Sequence, residues 1–498
     1  MDASELLART AVAVHRDPQA RYPTEPPFHP HERFPEYPFD AVAGEPNRVY
    51  EGVRDVLLRL GLDAARAGTR DWNPLGELLR PGETVVLKPN YVQSEHQEGG
   101  DLFSIITHSS VLRPLIDYCY LALRGKGRII VADAPQMDCD PKALVDRIQI
   151  ESIQRLYREA LGFEIEFRDL RTFWFDRSAP STGGGSRNRF PLDGDPEGQV
   201  GVDLGRASAL YPVNRRYYGA DFNRDETNRL HHGETQIYHV ARTILGADLV
   251  ILVPKLKTHK KVGVTLNIKG LVGTTTNKNC LVHYSVGAPH EGGDEFPDAM
   301  LSARSEAAVR MHRLASDVLL ARKSPLFDFL YETARSVAKA VLRPLGFRPG
   351  TRVVDAGNWY GNDSAWRMAV DLWRAFLYAD REGRLHDRPM RRVFSVIDGI
   401  TAGEAEGPLV PDARHCGVLV AGFNPAAVDL VATRLMGFDY RKLKTFQHLL
   451  ETPALRLPDP ASIRVLGEPG LETLLDPANR DPGLDLAPHP AWKGHVEL

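Results

Sequence analysis

A chain of 498 residues, 43% apolar and 26% charged, has the profile of a globular protein and is too long for one ordinary core. Its net charge of −3 offers no global positive field, which argues against nucleic acid or a membrane surface as partner. The cysteines (Cys119, Cys139, Cys280 and Cys416) lack metal-site spacing; they fit a reducing, cytoplasmic compartment rather than a disulfide framework. The opening MDASELLARTAVAVHRD does not read as a secretory signal, and no stretch reaches the ~18 apolar residues of a membrane span.

Residues 1–80 form an N-terminal arm and helix. The run YPTEPPFHPHERFPEYPFD predicts an extended arm packed over another surface, followed by a helix with Val53, Val56, Leu57 and Leu60 on one face. Residues 81–285 read as a first α/β lobe. PGETVVLKPNYV gives a strand from Thr84 to Leu87 and a polar exit at Lys88, Pro89 and Asn90, because proline cannot continue a central strand. Thr107 or Ser109 can cap the next helix, whose free amides and neighbouring His108 could meet an anion. Pro114 predicts that this helix starts after Ser109. GRIIVADAP is a strand ending in Asp133. Residues 141–160 read as a helix and 163–168 as a strand. Residues 170–235 read as an insertion of short strands and loops, a candidate lid, and 236–247 as a helix.

The organising stretch is LVILVPKLKTHKKVGVTLNIKGLVGTTTNKNCLVHYS, residues 249–285. A buried strand from Leu249 to Val253 gives way abruptly to Lys255, Lys257, His259, Lys260 and Lys261. Alternation from Val262 to Ile268 predicts a half-buried strand with Lys269 at its end. Cations crowded at the carboxyl end of a buried strand call for a carboxylate or phosphate. Residues 286–350 read as a helical insertion, with a helix over 299–343. A second α/β lobe spans 351–456, and 457–498 is a C-terminal tail of packed coil. In the second lobe, NWYGNDSAWR offers Asn358, Trp359 and Arg367 to a polar ring, or simply caps a helix. A strand from Val393 to Ile397 ends at Asp398. The fold class is therefore α/β: two lobes with mixed or parallel sheets flanked by helices, plus helical and loop insertions.

KPN (88–90), THSSVLRPLID (107–117), PKLKTH (254–259), TLNIKGLVG (265–273), IDGI (397–400), EGP (406–408) and NPAAVDLVATRLMG (424–437), with the strand ending in Asp133, together resemble the family named domain of unknown function 362. The resemblance runs from about 81 to 440. Many relatives carry ferredoxin-like cysteine segments; this chain has none, so no intrinsic iron–sulfur cluster is expected. The organising stretch is more distantly similar to the nickel-pincer lactate racemases, where a histidine, a cofactor-bearing lysine and a nickel-ligating histidine follow one another. His259, Lys269 and His283 stand in that order, but Leu266, Asn267 and Ile268 replace the glycines before the racemase lysine.

The resulting expectation is an interlobe cleft for a small anionic molecule: a hydroxy acid, a sugar phosphate or a nucleotide-sugar. Lys269 with His259 or His283 would carry out proton or hydride transfer, as in an isomerase or oxidoreductase. Lys88, Asn90, His108, Lys255, Lys257, Asn267, Asn358, Trp359 and Arg367 would bind substrate. Asp133 and Asp398 would orient a base or hold a divalent metal, the one candidate cofactor. The alternative is a ligand-holding assembly component without turnover. A homo-oligomer is compatible with the sequence.

Overall fold

The computed structural model describes residues 2–176, 189–211, 213–220, 223–298 and 356–498. The helix expected over 299–343 lies outside them, as does the loop at 181–188.

One ten-stranded sheet organises the chain. Its strands are β1 (Ala11–Arg16), β2 (Thr84–Pro89), β3 (Arg128–Asp133), β4 (Ile165–Asp169), β5 (Leu249–Val253), β6 (Lys255–His259), β7 (Gly263–Val264), β8 (Arg392–Glu404), β9 (Asp412–Gly422) and β10 (Arg464–Leu466). The order is β10-β1-β9-β8-β5-β2-β3-β4, with β6 paired to β7 and β8. The run from β8 to β4 is parallel, while β9 lies antiparallel to both β8 and β1. The sheet is thus mixed and the fold is α/β. The strands assigned to two lobes join one sheet, because β5 hydrogen-bonds to β2 on one side and to β8 on the other. A wholly apolar strand such as LVILV would leave a hazardous bare edge if the sheet stopped there.

Apolar runs in β2, β3 and β5 are buried on both faces, as parallel strands require. Alternate side chains feed two cores. Val85, Leu87, Ile129, Val131, Leu249 and Ile251 pack on one side; Val86, Ile130, Val250 and Leu252 pack on the other. The first core includes helices α1 (Arg48–Arg59), α2 (Ser109–Leu123) and α3 (Ile150–Leu161). The second includes α4 (Leu266–Gly270), α5 (Ala365–Tyr378) and α6 (Pro425–Leu435).

Three local expectations change. Helix α2 starts at Ser109 with His108 as its N-cap, and Pro114 lies inside it; almost every side chain of this helix is buried, so tertiary packing overrides the proline. Residues Thr235–Ala241 form a strand rather than a helix, pairing with Gln199–Asp203 before a short helix at Arg242–Leu245. Gln236, Tyr238 and Val240 alternate inward, a period of two where a helix was read. The strand expected over 262–268 stops at Val264, and Lys269 sits on α4.

The cause of that last change is Asp429 on α6. Its carboxylate accepts the backbone amides of Asn267 (2.8 Å) and Ile268 (2.9 Å) and the Asn267 side-chain amide (2.7 Å). Those are the donors a helix start leaves unmet. Leu266, just ahead of them, is held at φ 45°, a left-handed conformation that a branched side chain resists. Burial pushes the Asp429 carboxyl up to about 7 against the lowering pull of its three donors. Asp429→Ala should cost about 2–4 kcal/mol in urea unfolding, since buried donors lose their acceptor; Asp429→Asn, which keeps one acceptor oxygen, should cost less.

Candidate functional site

At the carboxyl edge of the parallel strands lies a cavity of about 300 Å³. Its walls include Asn90 and Tyr91 after β2, Asp133 and Ala134 after β3, Lys257 and His259 of β6, Lys269 and Gly270 of α4, and Lys278, His283 and Tyr284 beyond. The insertion contributes Gly219 and Ala220, brought there because Tyr217–Gly219 pairs with Val282–Ser285. This edge is where open parallel sheets usually receive ligands.

The electrostatics are one-sided. Among the described residues five lysines line the cavity (Lys257, Lys260, Lys261, Lys269 and Lys278), and the one carboxylate in its wall is Asp133. That carboxylate is already paired, 2.8 Å from Lys88 and buried with it. Its second oxygen accepts the Tyr91 amide at 2.6 Å. Gly273 makes room for the pair: a Cβ there would fall on the Asp133 carboxylate and the Lys88 ammonium.

Lys257 donates to the Ile105 carbonyl at 2.6 Å and Lys278 to the Ala134 carbonyl at 2.8 Å. Among the described residues, none of Lys257, Lys269 and Lys278 has a carboxylate within ion-pair distance. Burial lowers the Lys269 ammonium to about 8 and the Lys278 ammonium to about 7. Lys257 falls well below the ordinary lysine value, through burial and then the charges of Lys255 and Lys269. Such sites favour an anion that restores the missing charge.

The two histidines hold opposite tautomers. Nδ1 of His259 accepts the Lys261 amide at 3.1 Å, which leaves the proton on Nε2. Nδ1 of His283 lies 2.9 Å from the Leu281 carbonyl and donates to it, which leaves a lone pair on Nε2. Burial and the neighbouring lysines hold both rings neutral, far below the usual histidine range. The cavity wall therefore offers one imidazole N–H donor, on His259, and one imidazole lone pair, on His283. The Asn90 side-chain oxygen is buried without a partner among the described residues, so a ligand donor would satisfy it.

The other expected site residues lie elsewhere. Lys255 and Asp398 form a wholly buried pair at 3.1 Å. Tyr22 of the N-terminal arm donates to Asp398 at 2.6 Å and stacks on His108 at 4.3 Å, and the His108 amide donates to Asp398 at 3.0 Å. The arm thus fills that part of the sheet edge, and Lys255, His108 and Asp398 do not reach the cavity wall. Asn267 is consumed by Asp429 and Ser395. Trp359 donates to the Asp294 carbonyl, and Arg367 to Asp363 and the Ala209 carbonyl. Asn358 shares that loop and is also outside the wall. The segment caps α5 through Asn362, which accepts the Ser364 and Ala365 amides. Asp133 and Asp398 each keep a lysine and do not converge. Among the described residues no three His, Cys, Asp or Glu side chains gather to hold a metal ion, so these residues do not fit the divalent ion expected of them. Lys278 was missed; its signal was a lysine in Asn-Lys-Asn shortly after the glycine-punctuated loop.

Residues 206–434 match the family described as Domain of unknown function (DUF362). The match is narrower than the 81–440 expected: it takes in β5 to β9 and most of α6 but not Lys88 or Asp133. No curated protein and no solved structure matches the chain. No helix among the described residues is long and apolar enough to cross a membrane.

Two outcomes test the site. Gly273→Ala should displace the Lys88–Asp133 pair and weaken phosphate binding at least tenfold by calorimetry. Lys269 carries its charge at a cost the unfolded chain does not bear. That cost is full below about 8 and fades as pH rises towards 10.5, because the folded state then binds fewer protons than the unfolded. Lys269→Met should therefore unfold later in urea at pH 7, by on the order of 2 kcal/mol, with the difference shrinking by pH 10.

Proposed function

We propose that this chain is an enzyme that takes a small anionic substrate into the lysine-lined cavity and moves a proton at one of its carbons. The carrying observation is the pair of neutral histidines in opposite tautomers in one cavity with Lys257, Lys269 and Lys278, which meet no carboxylate among the described residues. Lys257, Lys261 and Lys278 hold the anion. His283 Nε2 accepts a proton, His259 Nε2–H hydrogen-bonds the oxygen on which charge develops, and Lys269 lies against the reacting atoms. An epimerase or isomerase uses these groups directly; an oxidoreductase would add a hydride carrier. Hydroxy acids and sugar phosphates suit a 300 Å³ space better than a whole nucleotide-sugar.

Mass spectrometry of small molecules released from the purified protein identifies the candidate substrate, and exchange of its C–H hydrogen in D2O, followed by NMR, measures turnover. His283→Ala should abolish exchange while inorganic phosphate still binds within about threefold. Lys257→Met should weaken phosphate binding at least tenfold. Unchanged exchange in His283→Ala, or no exchange in the native protein despite tight binding, would favour a ligand-holding component instead.

A further inference from the structure

The five cavity lysines are not equivalent. Lys257 is held by the Ile105 and Pro408 carbonyls. Lys278 is held by the Ala134 and Val272 carbonyls. Lys261 donates to the Ala356 carbonyl and lies 5.0 Å from the Tyr284 ring centre, and Lys260 is also engaged. Lys269 alone among them has no hydrogen bond, ion pair or ring partner among the described residues. Its surroundings are not accidental, since Asp429 fixes the start of the helix that carries it. A grip on an anion does not require a lysine left unpartnered in this way. A nucleophile does, because each hydrogen bond to an acceptor favours the ammonium and withholds the lone pair.

We propose that Lys269 forms an imine with the carbonyl carbon of a small anionic oxo compound, a 2-oxo acid or an oxo phosphate, with His283 relaying protons and His259 polarising the carbonyl oxygen. This rests on the reading of the cavity as an anion site and names its substrate class. The neutral amine attacks the carbonyl carbon, and the C=O π pair moves to oxygen, which accepts a hydrogen bond from His259 Nε2–H. His283 Nε2 takes the two amine hydrogens in turn and delivers them to that oxygen. The C–O bond breaks, water leaves and the C=N bond forms: amine plus carbonyl gives imine plus water. A lysine that burial holds at about 8 keeps a usable neutral fraction near pH 7. Once protonated, the imine draws electrons from the neighbouring C–H bond, which is the proton transfer proposed for this site.

The test is reductive trapping. The full chain is incubated with glyoxylate and cyanoborohydride, digested and read by peptide mass spectrometry, with inorganic phosphate titrated calorimetrically in parallel. The expected result is one reduced adduct, on Lys269. Lys269→Arg should lose it while still binding phosphate, and His283→Ala should slow its formation at least tenfold. Phosphate binding without a Lys269 adduct, or adducts spread evenly over Lys257, Lys269 and Lys278, would overturn the imine and leave the anion cavity standing. If native protein binds no phosphate and traps no glyoxylate, both readings fall together.

Discussion

Positive charge buried without matching negative charge is the constraint the rest of this structure accommodates. A lone buried ammonium is expensive, and proteins ordinarily pair it or neutralise it. Both solutions occur here within a few residues. Lys88 and Lys255 are paired with Asp133 and Asp398. Lys257 and Lys278 receive only carbonyl oxygens, and Lys269 receives nothing among the described residues. The paired lysines are accounted for by the fold; the others keep their place with no carboxylate among the described residues.

The frame that tolerates this is the two-faced sheet. Its parallel strands are anchored by apolar cores on both sides, so their carboxyl ends can carry groups that weaken the structure locally. Two further pieces tune that edge. The N-terminal arm seals the Lys255–Asp398 pair with Tyr22, and Asp429 holds the short helix bearing Lys269 in a strained start.

Sequence periodicity reveals what it physically encodes. The apolar runs in β2, β3 and β5 fix strands and their polar ends, and Lys88, Asp133, Lys255 and Asp398 do share one edge: Leu252 lies opposite Lys88, and Lys255 opposite Asp398. What periodicity cannot encode is which lysine meets which acid, because those partners come from strands far apart in the chain. The union of two expected lobes has the same origin, since β5 finds β8 across a long insertion. The Asp429 contact turned an alternating pattern into a helix, and no local rule at 262–268 contains it. Asn358, Trp359 and Arg367 were misplaced because a capping loop and a polar binding loop draw on the same amide, acid and aromatic residues. His259, Lys269 and His283 were easier to group, lying within one short stretch whose turns bring them to one wall.

The contrast between Lys255 and Lys257 shows how finely the edge is divided. Strict alternation along β6 would give the two side chains the same surroundings. Their pairing with β8 is irregular instead: Lys255 sits opposite Asp398, but Lys257 sits opposite Gly403. The extra residues of β8 between those positions carry its acid away from Lys257, as bulges re-aim side chains beside sites. Gly403 then leaves space, since a Cβ there would press on the Lys257 side chain and the Ser104 carbonyl. One lysine is thereby closed into a structural pair, and the next is delivered to the cavity with no carboxylate partner among the described residues.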